Sequence, residues 1–248
     1  TTAGTGSETT LACVVVDSKT RHKYAINDFP LIPSYAVLDE EVTMSLPPKV
    51  VSTTGMDALT HAIEAYIGKS GNKSTRRDAL EAIDLIFNNL ENSYFEKTRE
   101  ARKNMLIASH KAGRAFSKAY VGYVHAVAHS LGGKYDTPHG LANAVILPVV
   151  LEEYGKAAHK KLKKIAVYCG LSDKKTSPAE AAATVISRIK EMNVRFGIPE
   201  KFDFIERGDI KTLAAYADRE ANPLYPVPEL WNAKQLEKIY LKVGGYAD

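Results

Sequence analysis

Hydrophobic and polar residues repeat with two different periods along the chain, and the change falls near residue 45. Residues 9–17 contain the apolar, β-branched run Leu-Ala-Cys-Val-Val-Val, which predicts one buried strand. The charged residues 21–24 predict the return of a hairpin, and residues 35–39 predict a second short strand. Beyond residue 45 the spacing of apolar residues is helical. The pattern therefore predicts a mostly α protein with a short β-strand stub at its N-terminus.

Amphipathic spacing continues through most of the remaining chain. It predicts helices over residues 48–53, 55–67, 75–90, 98–118 and 121–131. The last of these carries almost no charge, so we expect it to be buried in the middle of a helical bundle. Ser177 with Glu180, and Asn232 with Gln235, are typical capping boxes and predict the starts of two further helices.

Composition narrows the class of protein. The 248 residues are 45% hydrophobic and 25% charged, which is typical of a globular enzyme. The formal charge of +4 is small for this length and does not indicate a nucleic-acid partner. The longest apolar run, residues 141–151, is too short to span a bilayer, and no signal peptide is visible. Two cysteines, Cys13 and Cys169, form no disulfide framework, so a cytoplasmic location is predicted.

Three of the seven histidines, His125, His129 and His139, fall within fifteen residues. His125 and His129 are four apart and share one helix face. The glycine pair and the Thr-Pro after them predict the end of that helix and a loop that brings His139 back towards the other two histidines. Asp57 and His61 have the same spacing on another predicted helix. A carboxylate and imidazoles suit one divalent first-row metal. These residues therefore predict a metal site.

A single histidine on an apolar helix face is more often a hydrogen-bonded core residue than a ligand, and a motif match is only a hypothesis. Two pairs of ligand type at the same spacing favour the metal site. The remaining histidines, His22, His110 and His159, have no such partner, and we expect them to be structural or exposed.

The sequence around both pairs resembles a known family. Residues 55–66 read Gly-Met-Asp-Ala-Leu-Thr-His-Ala-Ile-Glu-Ala-Tyr, and residues 125–140 read His-Ala-Val-Ala-His-Ser-Leu-Gly-Gly-Lys-Tyr-Asp-Thr-Pro-His-Gly. These segments resemble the two signature regions of the iron-containing (group III) alcohol dehydrogenases, and Glu-Ala-Asn-Pro-Leu-Tyr-Pro at 220–226 is also similar to that family. The resemblance implies that Asp57, His61, His125 and His139 are the metal ligands. It places His129 beside the metal without binding it.

The resemblance also implies a division of the chain. Members of the family carry an N-terminal dinucleotide-binding α/β domain, so residues 1–41 are expected to be a remnant of it and residues 42–248 the helical metal-binding catalytic domain. In the family's pattern Thr1, Thr2 and Thr5 would face the nucleotide through hydroxyls and backbone amides, and Lys23 would reach a ribose hydroxyl. We expect this chain alone to be inactive.

The function implied is hydride transfer between a primary alcohol or aldehyde and NAD or NADP. Iron is assigned from the family alone, since Asp plus three His suits zinc equally. The predicted role of His129 is to pass the alcohol's proton outward or to hold the substrate oxygen. Alternatively, it is a core residue or a ligand in place of His139.

Two other functions fit the same ligands. One is a lyase or hydrolase of the same fold that activates water at the metal. The other is a noncatalytic, metal-binding helical fragment. Residues 220–228 are either a connector or a wall of the substrate entrance. The only partners expected are the small substrate and, as a homo-oligomer, further copies of the chain; no nucleic-acid or membrane partner is predicted.

Overall fold

A computed structural model describes residues 2–20 and 23–246 of the chain. Within them, two strands form one antiparallel hairpin and the rest of the regular structure is helical. The elements are β1 (Ala12–Val16), β2 (Lys23–Asn27), α1 (Glu41–Met44), α2 (Pro48–Ile67), α3 (Lys73–Phe95), α4 (Arg99–Ala119), α5 (Tyr123–Tyr135), α6 (His139–Tyr154), α7 (Lys156–Tyr168), α8 (Pro178–Arg195), α9 (Ile210–Ala221) and α10 (Ala233–Val243). The mostly α architecture with an N-terminal β-stub is confirmed.

Polar caps fix the starts of four helices. The side chains of Asn72, Thr98, Ser177 and Asn232 accept hydrogen bonds from first-turn amides of α3, α4, α8 and α10. These amides have no partner within the helix, so each cap stabilises its helix by about 1 kcal/mol. The capping boxes predicted at Ser177 and Asn232 are confirmed.

Helices α2, α5 and α6 form the centre of the bundle. Along α5, every residue from Tyr123 to Leu131 is buried, which confirms the prediction from its lack of charge. A helix that is apolar on all sides is stable only inside a protein, and any polar side chain it carries must find a partner there. Among the described residues, no helix has both the length and the apolarity needed to cross a membrane.

Three predicted helix boundaries are wrong, and one of them is the end of α3, which was predicted at residue 90 and lies at Phe95. Residues 48–67 form one helix, α2, without a break before Gly55. Gly55 lies inside it because α3 packs so closely that an added Cβ would lie 2.3 Å from Leu90 Cδ1. The glycine pair at 132–133 does not end α5, which continues to Tyr135 and ends where Asp136 adopts a left-handed conformation with φ 53°.

The N-terminal predictions are only partly correct. β1 and β2 pair in antiparallel register from Ala12 with Asn27 to Val16 with Lys23. Residues 21 and 22 lie outside the described residues, and Lys23 and Tyr24, predicted in the turn, belong to β2.

Burial of the first strand was predicted wrongly. Val14 and Val16 are 43% and 45% exposed, because a two-stranded ribbon offers no second layer to cover them. The strand predicted at residues 35–39 is absent, and Val37 there is 89% exposed. No strand of the described residues lies beside this segment to supply a hydrogen-bonded ladder.

Candidate metal centre

Asp57 and His61 project from one face of α2, as their spacing predicted. Both are buried, with 2% and 6% of their surface exposed. The His61 ring is held between two others, stacked on Phe116 at 4.3 Å and on His125 at 4.5 Å between ring centroids. Its orientation is therefore fixed by packing from both sides.

His125 and His139 come from consecutive helices. His125 lies in the first turn of α5, and residues 136–138 form the short turn that makes His139 the first residue of α6. The next residue, Gly140, brings α6 against α2, since an added Cβ would lie 2.3 Å from the Thr53 carbonyl oxygen and 3.4 Å from Asp57 Cβ. This glycine contact is what places His139 beside Asp57.

The structure brings together Asp57, His61, His125 and His139, which we call the four-residue cluster. Each offers one ligand atom, and these atoms lie within 4.8 Å of one another. Asp57 Oδ1 is 3.4 Å from His139 Nε2 and 3.9 Å from His125 Nε2. The four donors thus converge on one point from three helices.

The donor atoms fit a divalent metal. His139 Nε2 lies 3.4 Å from Asp57 Oδ1, and His139 Nδ1 is buried without a hydrogen-bond partner among the described residues. Burial is the largest cause of the lowered pKa of all three imidazoles, and it lowers the pKa of His139 to about 3 against the opposing effect of Asp57. Neutral imidazoles are the form that binds metal. One carboxylate and three neutral imidazoles suit iron or zinc.

Asn143 is a cluster neighbour that the sequence analysis missed. Its Nδ2 donates to Asp57 Oδ1 at 2.6 Å and lies 3.3 and 3.2 Å from the Nε2 atoms of His125 and His139. Its Oδ1 is buried without a partner among the described residues. The only signal in the sequence was its position one helical turn after His139 on α6.

Glu64 is a second residue that the sequence analysis missed. It is 3% exposed, and its carboxylate contacts His125 Nδ1 at 2.6 Å from the side away from Asp57. Burial raises the pKa of Glu64 to about 8, while the backbone amides of Gly122, Val124 and His125 lower it. The amides of Gly122 and Val124 both donate to this carboxylate, and these two hydrogen bonds are part of what opposes the effect of burial.

His129 is not one of the four-residue cluster but adjoins it. Its ring stacks on that of His139 at 5.1 Å between centroids. His129 Nδ1 is 2.7 Å from Glu220 Oε1, which also accepts a hydrogen bond of 2.8 Å from the Tyr225 hydroxyl. Glu220 and Tyr225 therefore fix the His129 ring, a contact that the sequence spacing did not reveal.

The cluster and His129 open onto one large cavity of about 710 Å³. Its wall includes the apolar side chains of Phe116, Val121 and Leu224 as well as Glu220 and Tyr225. Three of residues 220–228 thus line this cavity: Glu220, Leu224 and Tyr225. A mostly apolar cavity with a few convergent polar groups is the usual form of a small-molecule site.

The residues expected to contact the cofactor are less closely grouped. Thr5 lines the cavity, but Thr2 and Lys23, both described, are not part of its wall. Burial lowers the pKa of Lys23, and the charges of Asp57 and Glu220 raise it, so Lys23 is near the metal centre. Thr1 lies outside the described residues. Of the other histidines, His110 pairs with Glu8 at 3.2 Å, as expected for a structural residue.

Known proteins that are similar to this chain are iron-containing alcohol dehydrogenases and their relatives. The model of the Fe-containing alcohol dehydrogenase family, C-terminal, matches residues 51–244. The 1,3-propanediol dehydrogenase of Citrobacter freundii is 40% identical over 243 residues, which cover 97% of this chain and 62% of that protein. The NADPH-dependent butanol dehydrogenase of Clostridium saccharobutylicum is 40% identical over 198 residues, which cover 80% of this chain and 50% of that protein. A crystal structure of a 1,3-propanediol oxidoreductase has a TM-score of 0.92 at 37% identity, covering 98% of this chain and 64% of that one.

The chain therefore belongs to the Fe-containing alcohol dehydrogenase family, and the resemblance seen in the sequence is confirmed. It spans about 62% of the length of the 1,3-propanediol dehydrogenase.

Proposed function

We propose that this chain forms the metal-binding part of an NAD(P)-dependent alcohol dehydrogenase, which exchanges hydride between a primary alcohol or aldehyde and the nicotinamide. The observation that carries the proposal is the convergence of the four-residue cluster in the wall of the large cavity. The names of the relatives support a small primary alcohol or diol as substrate.

In this proposal Asp57, His61, His125 and His139 hold one divalent ion, assigned as iron from the family description. When bound, the ion supplies Lewis acidity that favours ionisation of an alcohol hydroxyl. The side chains of Phe116 and Val121 give this part of the cavity an apolar lining. Electrostatic effects on the substrate are stronger in such surroundings.

His129 is proposed as the group that moves the substrate proton. His129 Nδ1 lies 2.7 Å from Glu220 Oε1, and with the ring proton at Nδ1 the lone pair at Nε2 would accept the proton of the alcohol. Glu220 also stabilises the imidazolium that forms, since its carboxylate remains 2.7 Å away.

The cofactor is proposed to lie on the side of the cavity formed by the N-terminal segment. Thr5 lines that side, and Lys23 is near the metal centre. Thr1 and Thr2 are retained as cofactor contacts from the family pattern alone. The division into a cofactor-side segment, residues 1–41, and a helical catalytic part, residues 42–248, belongs to the same proposal. A cytoplasmic location and a homo-oligomeric state remain predictions from the sequence.

Alcohol oxidation in a longer protein that joins this chain to a dinucleotide-binding domain tests the proposal. After loading with Fe²⁺, the protein should reduce NAD or NADP with a primary alcohol such as 1,3-propanediol or butanol. Replacing His129 by Ala should preserve metal content and lower kcat by about a hundredfold, the usual contribution of a positioned proton-transfer group.

His159→Ala is the matched control, since His159 lies on α7 and is not part of the cavity wall. It should leave both metal content and kcat unchanged. Failure of the metal-loaded protein to oxidise either 1,3-propanediol or butanol would refute the proposed activity. Loss of metal from His129→Ala would instead make His129 a ligand.

A further inference from the structure

Glu64 connects the two helices that carry most of the metal cluster. Its Oε2 accepts a hydrogen bond from the Gly122 amide at 2.9 Å and lies 2.6 Å from His125 Nδ1. Its Oε1 accepts one from the Val124 amide at 2.8 Å. One buried carboxylate on α2 thus binds both the N-terminus of α5 and the imidazole that α5 presents.

We infer that Glu64 is a positioning residue that sets the tautomer and the orientation of His125 for metal binding. This inference rests on the proposed metal site. Glu64 Oε2 lies 2.6 Å from His125 Nδ1, so in this inference the ring carries its proton on Nδ1, where a carboxylate oxygen accepts it, and its lone pair on Nε2. Nε2 is the nitrogen that faces Asp57, at 3.9 Å. The other tautomer would place a proton where the metal is to bind.

The spacing along α2 explains how one helix can both supply two ligands and orient a third, His125. Asp57, His61 and Glu64 occupy positions i, i+4 and i+7, which lie on one face of a helix. The first two therefore reach the metal directly, while the third reaches it through His125. Carboxylate–histidine–metal arrangements of this kind raise the basicity of the ligand and fix its ring.

The Glu64 carboxylate occupies the space that a side chain at position 122 would need. A Cβ added at Gly122 would lie 2.7 Å from Glu64 Oε1 and 3.2 Å from Glu64 Cδ. The φ of Gly122 is −142°, a value that other residues adopt, so its small size is required by the carboxylate rather than by the backbone. Substituting this glycine would displace Glu64 without changing any charge.

Three variants test the inference: Glu64→Gln, Gly122→Ala and the control Glu91→Gln. A glutamine at 64 accepts through one oxygen only, and its amide group can also donate to a bare Nδ1. Glu91 is a partly buried carboxylate on α3 that pairs with Arg188 and Arg195 rather than with a ligand. It controls for the general effect of neutralising such a group.

The measurements are the dissociation constant for Zn²⁺, obtained by competition with a chelator, and the ¹⁵N shifts of the histidine rings in the metal-free protein. Glu64→Gln and Gly122→Ala should each weaken Zn²⁺ binding by roughly 10- to 100-fold, the usual effect of removing a partner of a ligand. Both should also increase the population of His125 with its proton on Nε2. Glu91→Gln should match the wild type in both measurements.

The outcomes separate the inference from the proposed function. If the wild type binds Zn²⁺ and both site variants bind it equally well, Glu64 does not position His125. The inference is also overturned if the site variants lose affinity with no change in the His125 tautomer, since that result indicates only general destabilisation. If the wild type itself binds no Zn²⁺, the proposed metal site fails, and the inference fails with it.

Discussion

Gly140→Ala should disrupt the metal centre without altering any ligand. The added Cβ would lie 2.3 Å from the Thr53 carbonyl oxygen, whereas real Cβ contacts are essentially never under 3.0 Å. Helix α6 must therefore move away from α2 by about 0.7 Å or more, because a backbone carbonyl inside a helix cannot turn aside. His139 precedes Gly140 directly and would move with it.

The size of the effect follows from that displacement. Overpacking of this kind typically lowers the free energy of unfolding by about 1–3 kcal/mol. Metal–ligand distances are held within about 0.2 Å, so a shift of about 0.7 Å at His139 exceeds the tolerance of the site. We expect Gly140→Ala to weaken metal binding by at least about tenfold, comparable to the loss of a ligand's supporting contact.

Urea denaturation and chelator competition for Zn²⁺ measure the two effects. Gly208→Ala is the matched control, since an added Cβ there would have no atom within 4 Å and the backbone of Gly208 is not in the left-handed region. It should change stability by no more than about 0.5 kcal/mol and leave Zn²⁺ affinity unaltered. The reasoning is refuted if Gly140→Ala behaves like Gly208→Ala in both assays.

Three further predictions concern the backbone conformation of Tyr120, the charge of Glu220 and the pKa of the cluster's imidazoles. Tyr120 has φ 62° and ψ 179°, a region essentially limited to glycine, so Tyr120→Gly should be more stable than Tyr120→Ala by about 1 kcal/mol in urea denaturation; the opposite order would show no strain. Glu220→Gln should lower kcat for alcohol oxidation by about tenfold with unchanged metal content, because His129 loses its charged partner; parallel loss of metal would contradict this. Acid should destabilise the metal-free chain, since burial lowers the pKa of the cluster's imidazoles, to about 3 for His139, and the unfolded state then binds protons that the folded state does not. The contribution of these imidazoles to the free energy of unfolding is fully present above about pH 6.5 and is lost as the pH falls towards their pKa values in the folded state. The raised pKa of Glu64 makes a smaller contribution of opposite sign. An equal urea midpoint at pH 7.5 and pH 5 would refute this prediction.

Local spacing explains the part of the site that could be predicted. Asp57 and His61 share a face of α2 because the period of a helix places residues four apart side by side. The same rule makes His125 and His129 equivalent, and it cannot separate them. The structure separates them through different partners, since His125 contacts Glu64 and His129 contacts Glu220.

Contacts between distant segments explain what could not be predicted. Glu64 is 61 residues from His125, and Glu220 is 91 residues from His129, so neither pair leaves a periodic signal. The continuity of α2 through Gly55 likewise depends on Leu90 of another helix. The strand predicted at residues 35–39 failed for a related reason, because a strand requires a neighbour that the sequence of the segment itself does not specify.

Metal content of the purified chain tests the central claim most directly. After loading with Fe²⁺ or Zn²⁺ and removal of free ion, elemental analysis should find one divalent ion per chain in the wild type and in the control His159→Ala. His61→Ala and His139→Ala each remove one donor of the four-residue cluster, so both should lose the ion. Equal metal content in the wild type and these two variants, at matched protein concentration, would contradict the assignment of the site.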